Sequence, residues 1–176
     1  ARVGGILANS TKPYDFIFEN LKIETNLIEA SRTYDVKKIM FLGSSCIYPR
    51  LCNQPIKEEY LLEGYLEPTN QWYAIAKIAG IKLCESLKLQ HGIDTISLMP
   101  CNLFGVGDNY NSESSHVIPG LINKFHSAKI NKHKEVVCWG SGKPLREFLY
   151  VDDLADAIFF ILNKWENSKN NSENNN

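Results

Sequence analysis

The sequence predicts an α/β sandwich, a parallel sheet covered by helices. Two observations carry this. Helical and strand-like segments alternate, and the helical stretch 71–90 separates two short apolar runs, 38–43 and 94–100, as in a β-α-β unit. Both runs also end in polar clusters, Ser44-Ser45-Cys46 and Pro100-Cys101-Asn102. Ligands of open α/β sheets sit beyond the carboxyl ends of strands, so these clusters mark where a site is expected.

Taken in order, Phe16, Ile17, Leu21, Ile23, Leu27, Ile28 and Ala30 recur at mostly helical spacing between Pro13 and Arg32. The turn-like Thr33-Tyr34-Asp35 leads into the strand 38–43, and a loop bearing Pro and Glu runs from Pro49 to about Asn70. The helix from Gln71 to Gln90 is closed by His91-Gly92, where glycine suits a C-terminal cap. "DTISLMP" is a buried strand stopped by Pro100, and "CNLFGVGDNY" reads as a turn-rich loop. A helix is expected over 117–129, a strand and turn in "EVVCWGSGKP", a strand in "REFLYV", and a helix over 152–163. Asp152 and Asp153 open that last helix, where negative charge is favoured. The first residues, "ARVGGILANS", read as a strand end entering a glycine-rich loop. The Asn-rich stretch 164–176 has too little apolar surface to order itself. The expected organisation is one domain over 1–163 and a polar tail over 164–176.

At 176 residues the chain can bury a real core, and 44% hydrophobic with 22% charged residues is ordinary for a globular protein. A net charge of −1 without a basic block argues against nucleic acid as a partner. No apolar stretch approaches a membrane span and no secretory signal is present, so no membrane partner is expected. Five cysteines, 46, 52, 84, 101 and 138, are scattered without a CxxC pair, which reads as reduced thiols in a cytoplasmic protein. Zinc is not expected, because Cys46, Cys52 and His116 lack paired ligand spacing.

The chemistry gathers around two places. Tyr73 and Lys77 are four apart in a helix and therefore share a face. A nearby ammonium favours phenolate, and bringing a phenol from ~10 to ~7 requires roughly 4 kcal/mol of differential stabilisation. Such a tyrosine exchanges a proton with a carbonyl oxygen as hydride arrives or leaves. The pair alone is weak, since most such spacings are a core aromatic and a solvated lysine. It gains weight from a strand ending in Ser44, because serine, tyrosine and lysine are the trio of short-chain dehydrogenases. Cys46 is the second place: without its neighbours it reads as a small buried hydrophobe. A Cys46–His116 nucleophile pair of the protease kind explains neither Ser44 nor Tyr73 and Lys77. His91, His126 and His133 fall on helix ends and faces and read as solvated.

Longer motifs narrow this. "VGGI", "FLGSSCIYP", "LEPTNQWYAIAKIAGIKLCES", "NLFGVGDNY", "SSHVIPGLI" and "WGSGKPLREFLYVDDLA" together run from Val3 to about Leu162. In them the chain resembles the GDP-L-fucose synthase family, the GDP-4-keto-6-deoxymannose epimerase-reductases, an extended branch of the short-chain dehydrogenase/reductase class. The resemblance implies a Rossmann-like parallel sheet sandwiched by helices, with part of a small C-terminal substrate domain and substrate-binding segments inserted at about 104–146. It implies that Ser44 bonds the C4 carbonyl, Tyr73 supplies its proton, and Lys77 tunes Tyr73 and holds the nicotinamide ribose. Cys46 and His116 become the acid–base pair for epimerisation at C3 and C5.

The same resemblance implies NADP(H), contacted by Leu42, Gly43, Ser44, Ser45, Lys77, Pro100, Cys101, Asn102, Leu103 and His116. It implies a GDP-sugar held by Lys124, Trp139 and Arg146, and a homodimer built on the helices at 14–32 and 71–90. The family's glycine-rich dinucleotide turn is absent, since Gly4-Gly5 resembles a later loop over the cofactor. A chain beginning partway through its sheet, with the first strands missing, is therefore expected. Other NAD(P)-dependent nucleotide-sugar epimerases or dehydratases, and a non-catalytic remnant of such an enzyme, are the rival readings.

Overall fold

The core forms where one strand, its crossover helix and a second helix meet. The computed structural model describes residues 1–165. A short helix, α1 (Ile6–Thr11), precedes α2 (Pro13–Thr33), which starts on proline, a residue whose missing N–H costs nothing at that position. Helix α2 buries Phe16, Asn20, Glu24 and Ile28, one residue per turn on a single stripe. Strand β1 (Lys38–Leu42), helix α3 (Gln71–His91) and strand β2 (Asp94–Leu98) follow. The two strands pair in parallel, from Lys38 opposite Asp94 to Leu42 opposite Leu98. Helix α3 packs on both strands and against α2.

Ile28, Phe41, Ile47, Ile78, Ile81, Cys84 and Leu87 make the central cluster. Gly80 is what lets α3 approach β1: a Cβ there would overlap the Phe41 ring. Helix α3 stops as expected at Gly92, whose φ of 71° is left-handed and whose N–H reaches the Lys88 carbonyl at 3.0 Å. A second parallel pair joins β3 (Asn102–Phe104) to β4 (Phe148–Tyr150), with Asn102 opposite Phe148. Helix α4 (Val117–Ile130) lies between them in sequence, and α5 (Val151–Lys164) follows β4 directly, with Asp152 and Asp153 in its first turn.

The α/β class and the parallel pairing are as expected, and four local expectations are not. Residues 6–11 form α1 rather than a strand end entering a loop. The Gly5 N–H bonds the Ser114 carbonyl at 3.0 Å, and the Asn9 side-chain amide bonds the Gly4 carbonyl at 2.7 Å, so local bonds replace a ladder. The expected loop "CNLFGVGDNY" contains β3. The stretch 135–144 carries no strand: Val137 is 77% exposed, and Gly140 and Gly142 sit at φ 91° and 73°. Its short apolar run, Val136 to Trp139, finds no partner strand among the described residues. Nor do the two parallel pairs join into one hydrogen-bonded sheet among the described residues. The tail expected over 164–176 lies outside the described residues from 166 onward.

Candidate active site

Parallel pairing brings the segments after β1 and β2 to the same end of the sheet. The Gly43 N–H donates to the Leu98 carbonyl at 2.8 Å and carries the pairing one residue beyond β1. The chain then turns. Ser44 is extended, at φ −163°, and caps a single 3₁₀ turn over Ser45–Ile47, its hydroxyl accepting the Cys46 N–H at 3.4 Å. Ile47 is fully buried and anchors that turn in the core, leaving Ser44 and Cys46 half-buried at the rim, with Leu42 and Ser45 exposed.

Helix α3 passes behind the turn and supplies Tyr73 and Lys77 from one face. Lys77 is buried, its Nζ 3.0 Å from Glu24 Oε1 on α2, 4.7 Å from the centre of the Phe41 ring and 5.8 Å from that of Tyr73. Ser44, Cys46, Tyr73 and Lys77 are thus one cluster. Burial pushes the Cys46 thiol up, and the Ser44 hydroxyl, a backbone N–H and the Lys77 charge partly offset this. Burial likewise raises the Glu24 carboxyl, with Lys77 pulling the other way.

Tyr73 departs from expectation. Its hydroxyl is pushed up rather than down, by burial first and then by the negative forms of Cys46 and Glu24. The Lys77 charge is spent on Glu24, 3.0 Å away, so it does not draw the phenolate out.

The other expected residues divide. Pro100 and Cys101 are half-buried after β2, Asn102 is exposed with its amide on the Glu147 carbonyl at 3.0 Å, and Leu103 lies in β3. They share the strand-end region with 42–45. His116 stands apart: it is exposed at the N-cap of α4, its carbonyl accepting the Gly120 N–H at 3.0 Å. Among the described residues its side chain makes no hydrogen bond to Ser44, Cys46, Tyr73 or Lys77. Lys124 and Trp139 do meet, with the ammonium 4.4 Å from the indole centre and bonded to the Val137 carbonyl at 3.2 Å. Trp139 is 76% exposed, so its indole face is open to a ligand. Arg146 is exposed and bonds its neighbour's carbonyl, Leu145, at 2.8 Å.

Sequence reasoning missed Glu24. The available signal was its place on the stripe Phe16, Asn20, Glu24, Ile28, where a carboxylate in register with the apolar Phe16 and Ile28 must find a partner.

A family model described as the NAD dependent epimerase/dehydratase family matches residues 1–175. The chain belongs to that family. Within it, the chain is 59% identical to GDP-L-fucose synthase 1 of Arabidopsis thaliana over 165 residues, covering 94% of this chain and 51% of the relative. It is 57% identical to GDP-L-fucose synthase of Escherichia coli (strain K12) over 162 residues, covering 92% of this chain and 50% of the relative. Among solved structures it resembles a GDP-L-fucose synthetase from Naegleria fowleri bound to NADP, at 35% identity and a TM-score of 0.81, over 92% of this chain and 53% of that one. The chain thus spans about half the length of the curated relatives it matches. For this member of the NAD dependent epimerase/dehydratase family, no described helix is long and apolar enough to cross a membrane.

Proposed function

We propose that this chain carries the catalytic centre for epimerisation at C3 and C5 and NADPH-dependent reduction at C4 of GDP-4-keto-6-deoxy-D-mannose, giving GDP-L-fucose. The observation that carries the reading is the clustering of the Ser44–Cys46 turn with Tyr73 and Lys77 beyond the carboxyl end of β1. The names of the relatives above, GDP-L-fucose synthases, support the same product.

The donor set suits the nicotinamide end of NADP(H). A half-buried hydroxyl, a phenol and a buried ammonium gather at the strand end, and Pro100–Leu103 form a second rim. Leu42, Gly43, Ser44, Ser45, Lys77 and His116 complete the proposed contacts. When bound, NADPH supplies hydride for C4. Ser44 Oγ bonds the C4 oxygen, and Tyr73 gives that oxygen its proton. The raised affinity of Tyr73 for its proton suits a donor: the phenol stays intact at neutral pH, and the alkoxide forming at C4 is a far stronger base. Lys77 holds the nicotinamide ribose.

Epimerisation needs a hydrogen α to the C4 ketone to leave as a proton. Cys46 and His116 are the proposed pair: one takes the proton, giving an enolate, and the other returns a proton to the opposite face. Burial disfavours the Cys46 thiolate, and its contacts with Ser44 and Lys77 partly restore it. Segments within 104–146 hold the GDP-sugar through Lys124, Trp139 and Arg146, with the indole face and ammonium already together. The proposed organisation is one Rossmann-type domain over 1–163, acting as a homodimer in the cytoplasm. Helices α2 and α3 present outward apolar groups suited to that interface, including Tyr14, Phe18, Leu27 and Trp72.

One observation favours a second reading. His116 is exposed, without a side-chain bond to Cys46 among the described residues, and a different nucleotide-sugar epimerase or dehydratase would not need that pair. Cys46→Ser separates the readings, and Tyr73→Phe tests the reduction step common to both. Tyr73→Phe is expected to lower C4 reduction by about 100-fold while proton exchange at C3 and C5 persists. Cys46→Ser is expected to remove exchange. Unchanged turnover in Cys46→Ser would favour the second reading.

A further inference from the structure

Two polar residues lie on the buried stripe of α2, and their surroundings explain only one of them. Asn20 is satisfied as a structural residue. Its carbonyl oxygen accepts the Arg2 N–H at 2.7 Å, and its amide donates to the Phe16 and Arg2 carbonyls at 2.7 and 3.0 Å. Glu24, one turn on, is 5% exposed and has no such set. Its ion-pair partner among the described residues is Lys77, and neither carboxylate oxygen has an aligned hydrogen-bond partner.

Stability alone does not call for this arrangement. A buried ion pair with unfilled hydrogen-bonding capacity is on average no better for the fold than apolar groups of the same volume. What the pair does fix is the place of an ammonium at the end of a four-carbon stem that is otherwise free to rotate. Glu24 Oε1 holds Nζ 3.0 Å away, above Phe41 and near Tyr73. Gly80, one turn after Lys77, leaves the space this requires: a Cβ there would sit 3.0 Å from Glu24 Oε2 as well as in the Phe41 ring.

We propose that Glu24 is a positioning residue for Lys77, a buried countercharge on α2 that fixes the place of its Nζ and aims it at the nicotinamide side of the site. The inference deepens the function proposed above and rests on it for its catalytic meaning, while the Glu24–Lys77 geometry stands independently of that function. Glu24 touches neither substrate nor cofactor in this account. It acts through Lys77.

The test uses the full chain with Glu24→Gln, which removes the charge, and Glu24→Asp, which keeps it one methylene short. The first readout needs no turnover: the proton–nitrogen NMR signal of the Lys77 ammonium, assigned by its loss in Lys77→Met. A buried, paired ammonium exchanges slowly enough to be seen, so the signal is expected in the wild type and in Glu24→Asp and absent from Glu24→Gln. A signal missing from the wild type, or unchanged in Glu24→Gln, overturns the proposal. Should Glu24→Gln fail to fold, Glu24→Asp decides: a displaced Lys77 nitrogen frequency is expected, and an unmoved one contradicts it. The second readout is kinetic. Glu24→Gln is expected to lower kcat for C4 reduction by about tenfold or more with KM nearly unchanged, and Glu24→Asp to recover most of it. A wild type whose Lys77 signal depends on Glu24 but which turns over no substrate defeats the functional reading alone. A wild type that turns over while Lys77 ignores Glu24 defeats this inference alone.

Discussion

Burial acts in the same direction on two thiols, Cys46 beside α3 and Cys84 within it. Cys84 is 1% exposed in the central cluster, and burial, with Glu24 and Glu85 adding to it, pushes its thiol up to about 11. An unfolded chain holds that proton only to about 8.5. Between the two values the unfolded state has released a proton that the folded state keeps, so stability falls as pH rises. The contribution is fully present below about 8.5 and lost above about 11, with a slope of up to about 1.4 kcal/mol per pH unit. Cys46 and Tyr73 shift in the same direction and are retained in a Cys84→Ala variant, so comparison with the wild type isolates Cys84. Urea unfolding at pH 8 and pH 10.5 is expected to show a flatter dependence in Cys84→Ala, and parallel curves would contradict the assignment. At this scale the sequence was informative wherever spacing is local. Tyr73 and Lys77 share a face as four-residue spacing requires, and Ser44 and Cys46 lie at the strand end where the apolar run stops. Glu24 was only half legible: its place on the α2 stripe marked a carboxylate in need of a partner, but that partner, Lys77, comes from another helix. The expected acidity of Tyr73 reverses chiefly because the phenol is buried, with Cys46 and Glu24 adding to it.

Helices and strands raise the question of which force wins where they touch. Gly80 lies inside α3, where replacing glycine by alanine ordinarily gains about 1 kcal/mol of helix propensity. Here a Cβ meets the Phe41 ring of β1, and overpacking of a core costs about 1–3 kcal/mol. Packing is expected to dominate: Gly80→Ala should lower the urea midpoint with an unchanged m-value, and a raised midpoint would contradict the close approach described. The elements of this core were legible to within a residue or two, since α2, α3, β1 and β2 have strong periodicity and clear stops at Gly92 and beyond Leu98. The misreadings have a common cause. Residues 135–144 have strand-like composition but no neighbouring strand to pair with among the described residues. Residues 102–104 look like loop yet become β3 because Phe148–Tyr150 comes alongside. Pairing is a tertiary event and leaves little trace in a three-residue run.

At the scale of the whole molecule, α2 and α3 leave several apolar side chains exposed. Tyr14 stacks on Phe18 with ring centres 5.2 Å apart, and Leu27 is 63% exposed on the same helix. The proposed homodimer predicts a sedimentation mass twice the 20.0 kDa of one chain. Leu27→Asp, which places a charge at an exposed position of α2 outside the core, should give a folded monomer whose Tm no longer depends on protein concentration. A wild-type monomer would set the interface aside. The parallel β1–β2 pair and its crossover helix were foreseen from the alternation of segments, whereas the separation into two strand pairs was not, because no local signal reports which pairs join. The central claim concerns the polar turn after β1, and one measurement reaches it most directly: deuterium uptake from heavy water into GDP-4-keto-6-deoxymannose without NADPH, with the wild type and Cys46→Ser side by side. Exchange requires no hydride, so it questions Cys46 and His116 alone. Uptake at C3 and C5 by the wild type that vanishes in a folded Cys46→Ser variant is the predicted result. Equal uptake by both proteins, or none by a folded wild type, would contradict the account.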